Sequence, residues 1–138
     1  GVHRRQRQMC IRDRFRADKN SCLIGTDAVR DGIDVPGQAL RMILYDRVPW
    51  PRPDMLFKAR AKWIGKNELT DRLTRMKLRQ AFGRLIRRAD DKGIFVMLDS
   101  RLPTRLTSAF PSDVTIERLP LADTLFQVRD FLGRQDEL

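Results

Sequence analysis

An α/β fold, with a parallel sheet flanked by helices, is what three features of this chain predict. Short apolar runs of strand length alternate with stretches of helical periodicity. The segments joining those runs are long enough for crossover helices, which parallel strands require. Turn-forming glycines, prolines and aspartates punctuate the boundaries between them.

Taken in order, Ser21 to Thr26 reads as a short buried strand that feeds a glycine-rich turn. Pro36-Gly37 marks a turn, and Leu40 to Tyr45 reads as the second strand. Asp46 to Asp54 (DRVPWPRPD) is a loop whose three prolines prevent regular pairing. Pro53 suits the first turn of a helix over Met55 to Lys62, and Gly65 interrupts it. Trp63 reads as core or helix-contact material. A second helix starts near Asn67 or Thr70 and runs to about Ala89. Its early apolar residues Leu69, Leu73 and Met76 sit on the Gln80 side, opposite Phe82 and Ile86, so either the helix bends or its beginning packs against a different neighbour. Ile94 to Leu98 is the third strand, entered through Asp91 and Gly93, and Thr104 to Ala109 is a short helix. Val114 to Arg118 alternates as a fourth strand would, and Leu121 to Leu132 is an amphipathic helix stopped by Gly133.

The 138 residues, 41% of them hydrophobic, suit one packed domain. No apolar run approaches membrane-spanning length and no stretch reads as a secretory signal, so the expected compartment is the cytoplasm. Cys10 and Cys22 make neither a disulfide framework nor a four-ligand metal site, and no metal is expected in the chain. The single histidine, His3, argues against hydrolase mechanisms built on a histidine base. Residues 1–14 are set apart from the domain at 15–138. Met9-Cys10-Ile11-Arg12-Asp13-Arg14 matches the translation of a transposase adaptor used in sequencing, so 1–14 is expected to be an adaptor-derived, disordered segment. The alternative is a native basic arm that binds DNA.

The net charge of +10 is concentrated. Residues 58–92 hold twelve basic and four acidic side chains, whereas 93–138 hold five and seven. A stripe of this kind suits phosphates, of a nucleotide or of nucleic acid. Within it lies Gln80-Ala81-Phe82-Gly83-Arg84-Leu85-Ile86-Arg87. On a helix turning about 100° per residue, Gln80, Gly83, Arg84 and Arg87 share one face and Phe82, Leu85, Ile86 and Ala89 the other. One face anchors the helix. The other presents an amide and two guanidinium groups to an oxyanion, with Gly83 permitting close approach.

The order QxxGRxxR, then Asp91-Lys92-Gly93, the run Ile94 to Leu98 and Asp99-Ser100-Arg101, resembles motif VI of superfamily 2 helicases, and most of all their DinG and XPD branch. Upstream, Gly25-Thr26-Asp27-Ala28-Val29-Arg30-Asp31-Gly32-Ile33-Asp34-Val35-Pro36-Gly37 is similar to motif V. Many relatives have an aromatic residue where this chain has Arg30, and Glu where it has Asp31.

The resemblance implies a partial RecA-like sheet, the second half of a helicase motor, over about residues 21 to 132. It implies an ATP-dependent DNA helicase acting 5′ to 3′ in DNA repair, with ATP and magnesium bound mainly on an N-terminal half and single-stranded DNA as partner. The sequence contains no GxxxxGK[ST] loop, so this piece alone should not hydrolyse ATP. An iron-sulfur cluster, where this branch has one, has its ligands in the first half, and nothing in this chain matches them. Arg87 is then the first candidate for an arginine finger and Arg84 the second, while Gln80 orients the γ-phosphate or the attacking water. Gly32, Asp34 and Gly83 face the nucleotide, and Gly25 and Thr26 the DNA. Trp50 stacks on a base or else packs against the neighbouring helix. For the arginines the alternative is internal salt bridging to Asp31, Asp34 or Asp99. The competing function is a non-catalytic basic module of helicase ancestry that binds nucleic acid or a partner.

Overall fold

A computed structural model of the chain describes residues 13–18, 21–23, 25 and 39–136. Most of 1–14 lies outside them, as do Thr26, Gly32 and Asp34, whose expected roles concern residues not described. Residues 13–17 form a short helical turn. The main elements are β1 (Met42–Tyr45), α1 (Met55–Ile64), α2 (Lys66–Leu85), β2 (Ile94–Met97), a 3-10 helix (Thr104–Ala109) and α3 (Leu121–Asp136).

β1 and β2 pair in parallel, with Met42 opposite Ile94 and Tyr45 opposite Met97. Together with the intervening helices they form a crossover unit of a RecA-like α/β fold. Ile43 and Phe95, on one face, pack with Leu40, Leu85 and Ile86. The aromatic rings continue that layer: Tyr45 stacks on Phe95 at 5.5 Å, Phe95 meets Phe110 edge-on at 5.2 Å, and Phe110 meets Phe82 at 5.7 Å.

α1 starts at Asp54, whose carboxylate accepts the Phe57 N–H at 2.8 Å. Pro53 therefore precedes the cap rather than occupying the first turn, because a side-chain acceptor decides where the helix begins. Gly65, at φ 96°, separates α1 from α2 in a conformation that favours glycine. α2 is continuous over 20 residues and buries two sides in succession. Thr74, Leu78, Ala81 and Leu85 form one buried stripe, while Leu69, near its beginning, is buried on the other side. Of the two alternatives for Leu69, Leu73 and Met76, the different-neighbour one fits, since the start of α2 adjoins α1 across Gly65. Met76 itself is 44% exposed. Buried Thr74 is satisfied by donating its hydroxyl to the Thr70 carbonyl at 2.7 Å.

Four expectations are corrected. The stretch Val114 to Arg118 is not a strand: residues 115–118 are exposed, and the described sheet has two strands, leaving their alternation without a ladder partner. Of the strand expected over Ser21 to Thr26, residues 21–23 and 25 pair with no strand among the described residues, while Ile24 and Thr26 lie outside them; Ser21 donates its N–H and its hydroxyl to the Asp18 carbonyl. Gly133 does not stop the last helix, which continues to Asp136, since an isolated glycine weakens a helix without ending it. Trp63 is not core but 92% exposed, because α1 buries only Phe57, roughly 120° away around the helix.

The 3-10 helix is fastened to α2 from outside and inside. Leu106 and Ala109 are buried, and Arg105 grips Asp71 through two bonds of 2.8 and 3.2 Å. Arg75 donates to the Ser108 hydroxyl at 2.9 Å. No helix among the described residues is long and apolar enough to cross a membrane.

Candidate nucleotide-facing site

α2 brings Gln80, Gly83 and Arg84 to its outer surface because its inner stripe is anchored by Leu78, Ala81 and Leu85. Gln80 is exposed and Arg84 half-buried. Neither side chain makes a hydrogen bond or ion pair among the described residues. Asp99, one of the internal partners considered for the arginines, is engaged by Arg101 instead. Asp31 and Asp34 lie outside the described residues. A Cβ built at Gly83 meets nothing within 4 Å, so among the described residues no contact demands glycine there.

Arg87 departs from the expected arrangement. The helix stops at Leu85 rather than Ala89, and Ile86 is already extended, at φ −115° and ψ 105°. Arg87 therefore does not continue the face of Gln80, Gly83 and Arg84, and Ala89 is exposed rather than anchoring. The cause is competition for backbone donors. In a continuing helix the Arg87 and Arg88 N–H groups would donate to the carbonyls of Gly83 and Arg84; here both donate to Asp91 Oδ2, each at 2.8 Å. Packing fixes the same point, since the Leu85 side chain fills the space a Cβ at Gly93 would need. Arg87 itself remains exposed, in the turn between α2 and β2.

Trp50 lies elsewhere. It is 39% exposed in the loop that leaves the C-terminal end of β1, whereas Arg84 and Arg87 stand where the chain enters β2. Strands of this length span roughly 13 Å at about 3.3 Å per residue, so the structure does not bring Trp50 together with the arginines. Gly25 is exposed. An open groove of about 660 Å³ between β2, the 3-10 helix and residues 114–120 is lined by Phe82, Phe95 and Phe110 and by none of the candidates.

Two carboxylates make structural bonds that were not singled out from the sequence. Asp99, with a side chain only 5% exposed, accepts the Val48 N–H at 3.0 Å and the Arg101 Nε–H at 2.9 Å. It thereby ties the loop bearing Trp50 to the end of β2. Asp91 is the second, and its position four residues after Arg87 was the available signal. Among the described residues no group of acidic, histidine or cysteine side chains could hold a metal ion, and Cys22 is free and exposed.

The carboxylates give the chain an acid limit. The Arg101 guanidinium and then the Val48 N–H hold Asp99 well below the usual carboxylate range. Arg105 lowers Asp71, and the Arg88 and Arg87 N–H groups lower Asp91. Folded values below the unfolded value of about 4 give stability that is present above that pH and is lost as pH falls toward the folded values. Melting temperature is expected to stay level from pH 7 to about 5 and to fall below about pH 4, with a shallower fall in Asp99→Asn. A melt that rises on acidification contradicts these assignments.

Comparison with known proteins gives the family. The family model described as "Helicase C-terminal domain" matches residues 3–116. The chain is 39% identical over 99 residues to the ATP-dependent helicase DinG of Mycobacterium tuberculosis, covering 67% of this chain and 15% of that protein. It is 36% identical over 95 residues to the ATP-dependent DNA helicase YoaA of Escherichia coli, covering 62% of this chain and 15% of that protein. It is also 36% identical over 97 residues to the 3′-5′ exonuclease DinG of Bacillus subtilis, covering 65% of this chain and 10% of that protein. The chain thus corresponds to only a small part of these relatives' length. No solved structure matches it. The parallel crossover unit and the family match agree, and the chain belongs to the helicase C-terminal domain family, in its DinG-like branch.

Proposed function

We propose that residues 15–138 are part of the second motor half of an ATP-dependent DNA helicase, completing an ATP site whose phosphate and magnesium ligands reside on the first half. The observation that carries this reading is the outward pairing of Gln80 and Arg84, one turn apart on α2 and without internal partners among the described residues. A guanidinium and an amide donor held at a surface without a counter-charge among the described residues suit an anion that arrives with another domain.

In this mechanism the transferred phosphoryl group gathers charge on its oxygens as the bond to ADP loosens. Arg84 and Arg87 are fixed cations beside that charge, and their planar guanidinium forks each hold two oxygens. The Gln80 amide orients the γ-phosphate or the water in line. Glycine at position 83 leaves the approach clear. The DNA strand runs along the motif V side with Gly25, Thr26 and Trp50, so that opening and closing of the two halves around ATP moves it 5′ to 3′. Trp50, at the far end of the strands from the arginines, fits a separate strand contact.

The test is Arg84→Ala in a whole DinG-type helicase carrying this chain. Since Arg84 makes no hydrogen bond or ion pair among the described residues, melting temperature should change by less than about 2 °C. DNA-stimulated ATP turnover should fall by at least about 100-fold. Turnover at the parental rate sinks the reading. The competing basic module is favoured if the chain binds DNA in a salt-sensitive manner with no response to nucleotide in the whole protein.

A further inference from the structure

We infer that Asp91 is a positioning residue for the nucleotide-facing arginine Arg87. Its carboxylate is the fixed point of the turn between α2 and β2. Asp91 Oδ2 accepts the N–H groups of both Arg87 and Arg88 at 2.8 Å, while the Asp91 N–H donates to the Arg88 carbonyl at 3.1 Å. Three bonds from one residue thus close on two consecutive arginines. The turn is held on either side as well: Leu85 is 4% exposed and packed where a Gly93 side chain would stand, and the Ile94 N–H donates to the Arg41 carbonyl at 3.0 Å.

The consequence is directional. A helix continued through residue 87 would aim Arg87 along the face of Gln80 and Arg84. By drawing off the two N–H groups that a further helical turn would use, Asp91 ends the helix and gives the Arg87 backbone a different, fixed direction. An arginine that stabilises transferred charge has to be placed to within a fraction of an ångström, and a displacement of about 1 Å costs on the order of 100-fold in rate. Asp91 need not touch the nucleotide to matter. Only one of its oxygens is used in these bonds, so an amide oxygen at the same place can replace it.

This inference rests on the reading of Arg87 as phosphate-facing, and the experiment separates the two. In a whole DinG-type helicase carrying this chain, kcat and KM for DNA-stimulated ATP hydrolysis are measured for Asp91→Ala, Asp91→Asn, Arg87→Lys and the double variant Asp91→Ala with Arg87→Lys. Asp91→Ala is expected to lower kcat on the order of 100-fold with KM within about threefold, and Asp91→Asn to stay within about threefold of the parent. The double variant should be no slower than Arg87→Lys alone, because Asp91 acts through that side chain. If Arg87→Lys is slow but Asp91→Ala turns over normally, or if the two losses multiply, the positioning role is wrong while the arginine reading survives. Parental turnover in Arg87→Lys overturns both. Should Asp91→Ala fail to fold, Asp91→Gln, which moves the amide acceptor by one methylene, is compared with Asp91→Asn. Equal kcat in that pair also overturns the positioning role.

Discussion

Arg87→Lys in a whole DinG-type helicase carrying this chain should reduce DNA-stimulated ATP turnover by about a thousandfold while leaving ATP binding within a few-fold of the parent. The size follows from the interaction lost. A guanidinium offers a rigid planar fork to two oxygens, and a lysine offers a compact, strongly hydrated point charge on a flexible stem. Formal charge is conserved, so ground-state attraction for the triphosphate largely survives. What disappears is the contact that strengthens as charge develops on the phosphoryl oxygens, and such contacts appear in kcat rather than in KM. Initial-rate kinetics over a range of ATP concentrations distinguish the two. A rise in KM alone would make Arg87 an ordinary binding residue.

Leu78→Ala should destabilise the folded chain by about 2–5 kcal/mol. Leu78 is fully buried at the middle of the inner stripe of α2, between Thr74 and Ala81, and none of these neighbours is long enough to refill its volume. The helix's other buried residues are Leu69, Thr74, Ala81 and Leu85. Its mean hydropathy is low, and its outward face is occupied by charged side chains whose surface pairs, such as Arg72 with Glu68 at 2.8 Å, contribute little in water. Because α2 carries the outward Gln80 and Arg84 and leads into the Asp91 turn, partial loss of its anchoring should reach the site before the sheet unfolds. Urea unfolding followed by circular dichroism measures the change. A loss under about 0.5 kcal/mol would mean that α2 is held by something other than this stripe.

The two strands and their parallel sense were legible in the sequence because the runs from Leu40 and from Ile94 are short, apolar and bounded by turn residues, whereas their being neighbours was not. The short helix over Thr104 to Ala109 was legible to the residue, and the structure makes it a 3-10 helix entered from Pro103 and left at the extended Phe110. What could not be read locally depended on partners distant in the chain or on a single side-chain acceptor. The fourth strand required a neighbour that no alternation pattern can supply. The exposure of Trp63 depends on which face of α1 meets α2, and that was decided by Phe57. In motif VI the residue types were legible, but their common face was not. Periodicity extends a helix to about Ala89, whereas the Asp91 carboxylate, with Leu85 filling the space beside Gly93, ends it at Leu85. The hydrogen bond from the Val48 N–H to Asp99 links positions 51 residues apart, and no spacing rule would have suggested it.

Under the proposed function, Gln80, Arg84 and Arg87 serve the transition state of a nucleotide seated on another half. Calorimetric titration of the whole helicase with ADP, with and without aluminium fluoride as a mimic of the transferred phosphoryl group, tests it most directly. The parent should bind the combination at least about 100-fold more tightly than ADP alone, and Arg84→Lys with Arg87→Lys should bind ADP normally yet lose that tightening. The same tightening in the double variant would contradict the claim.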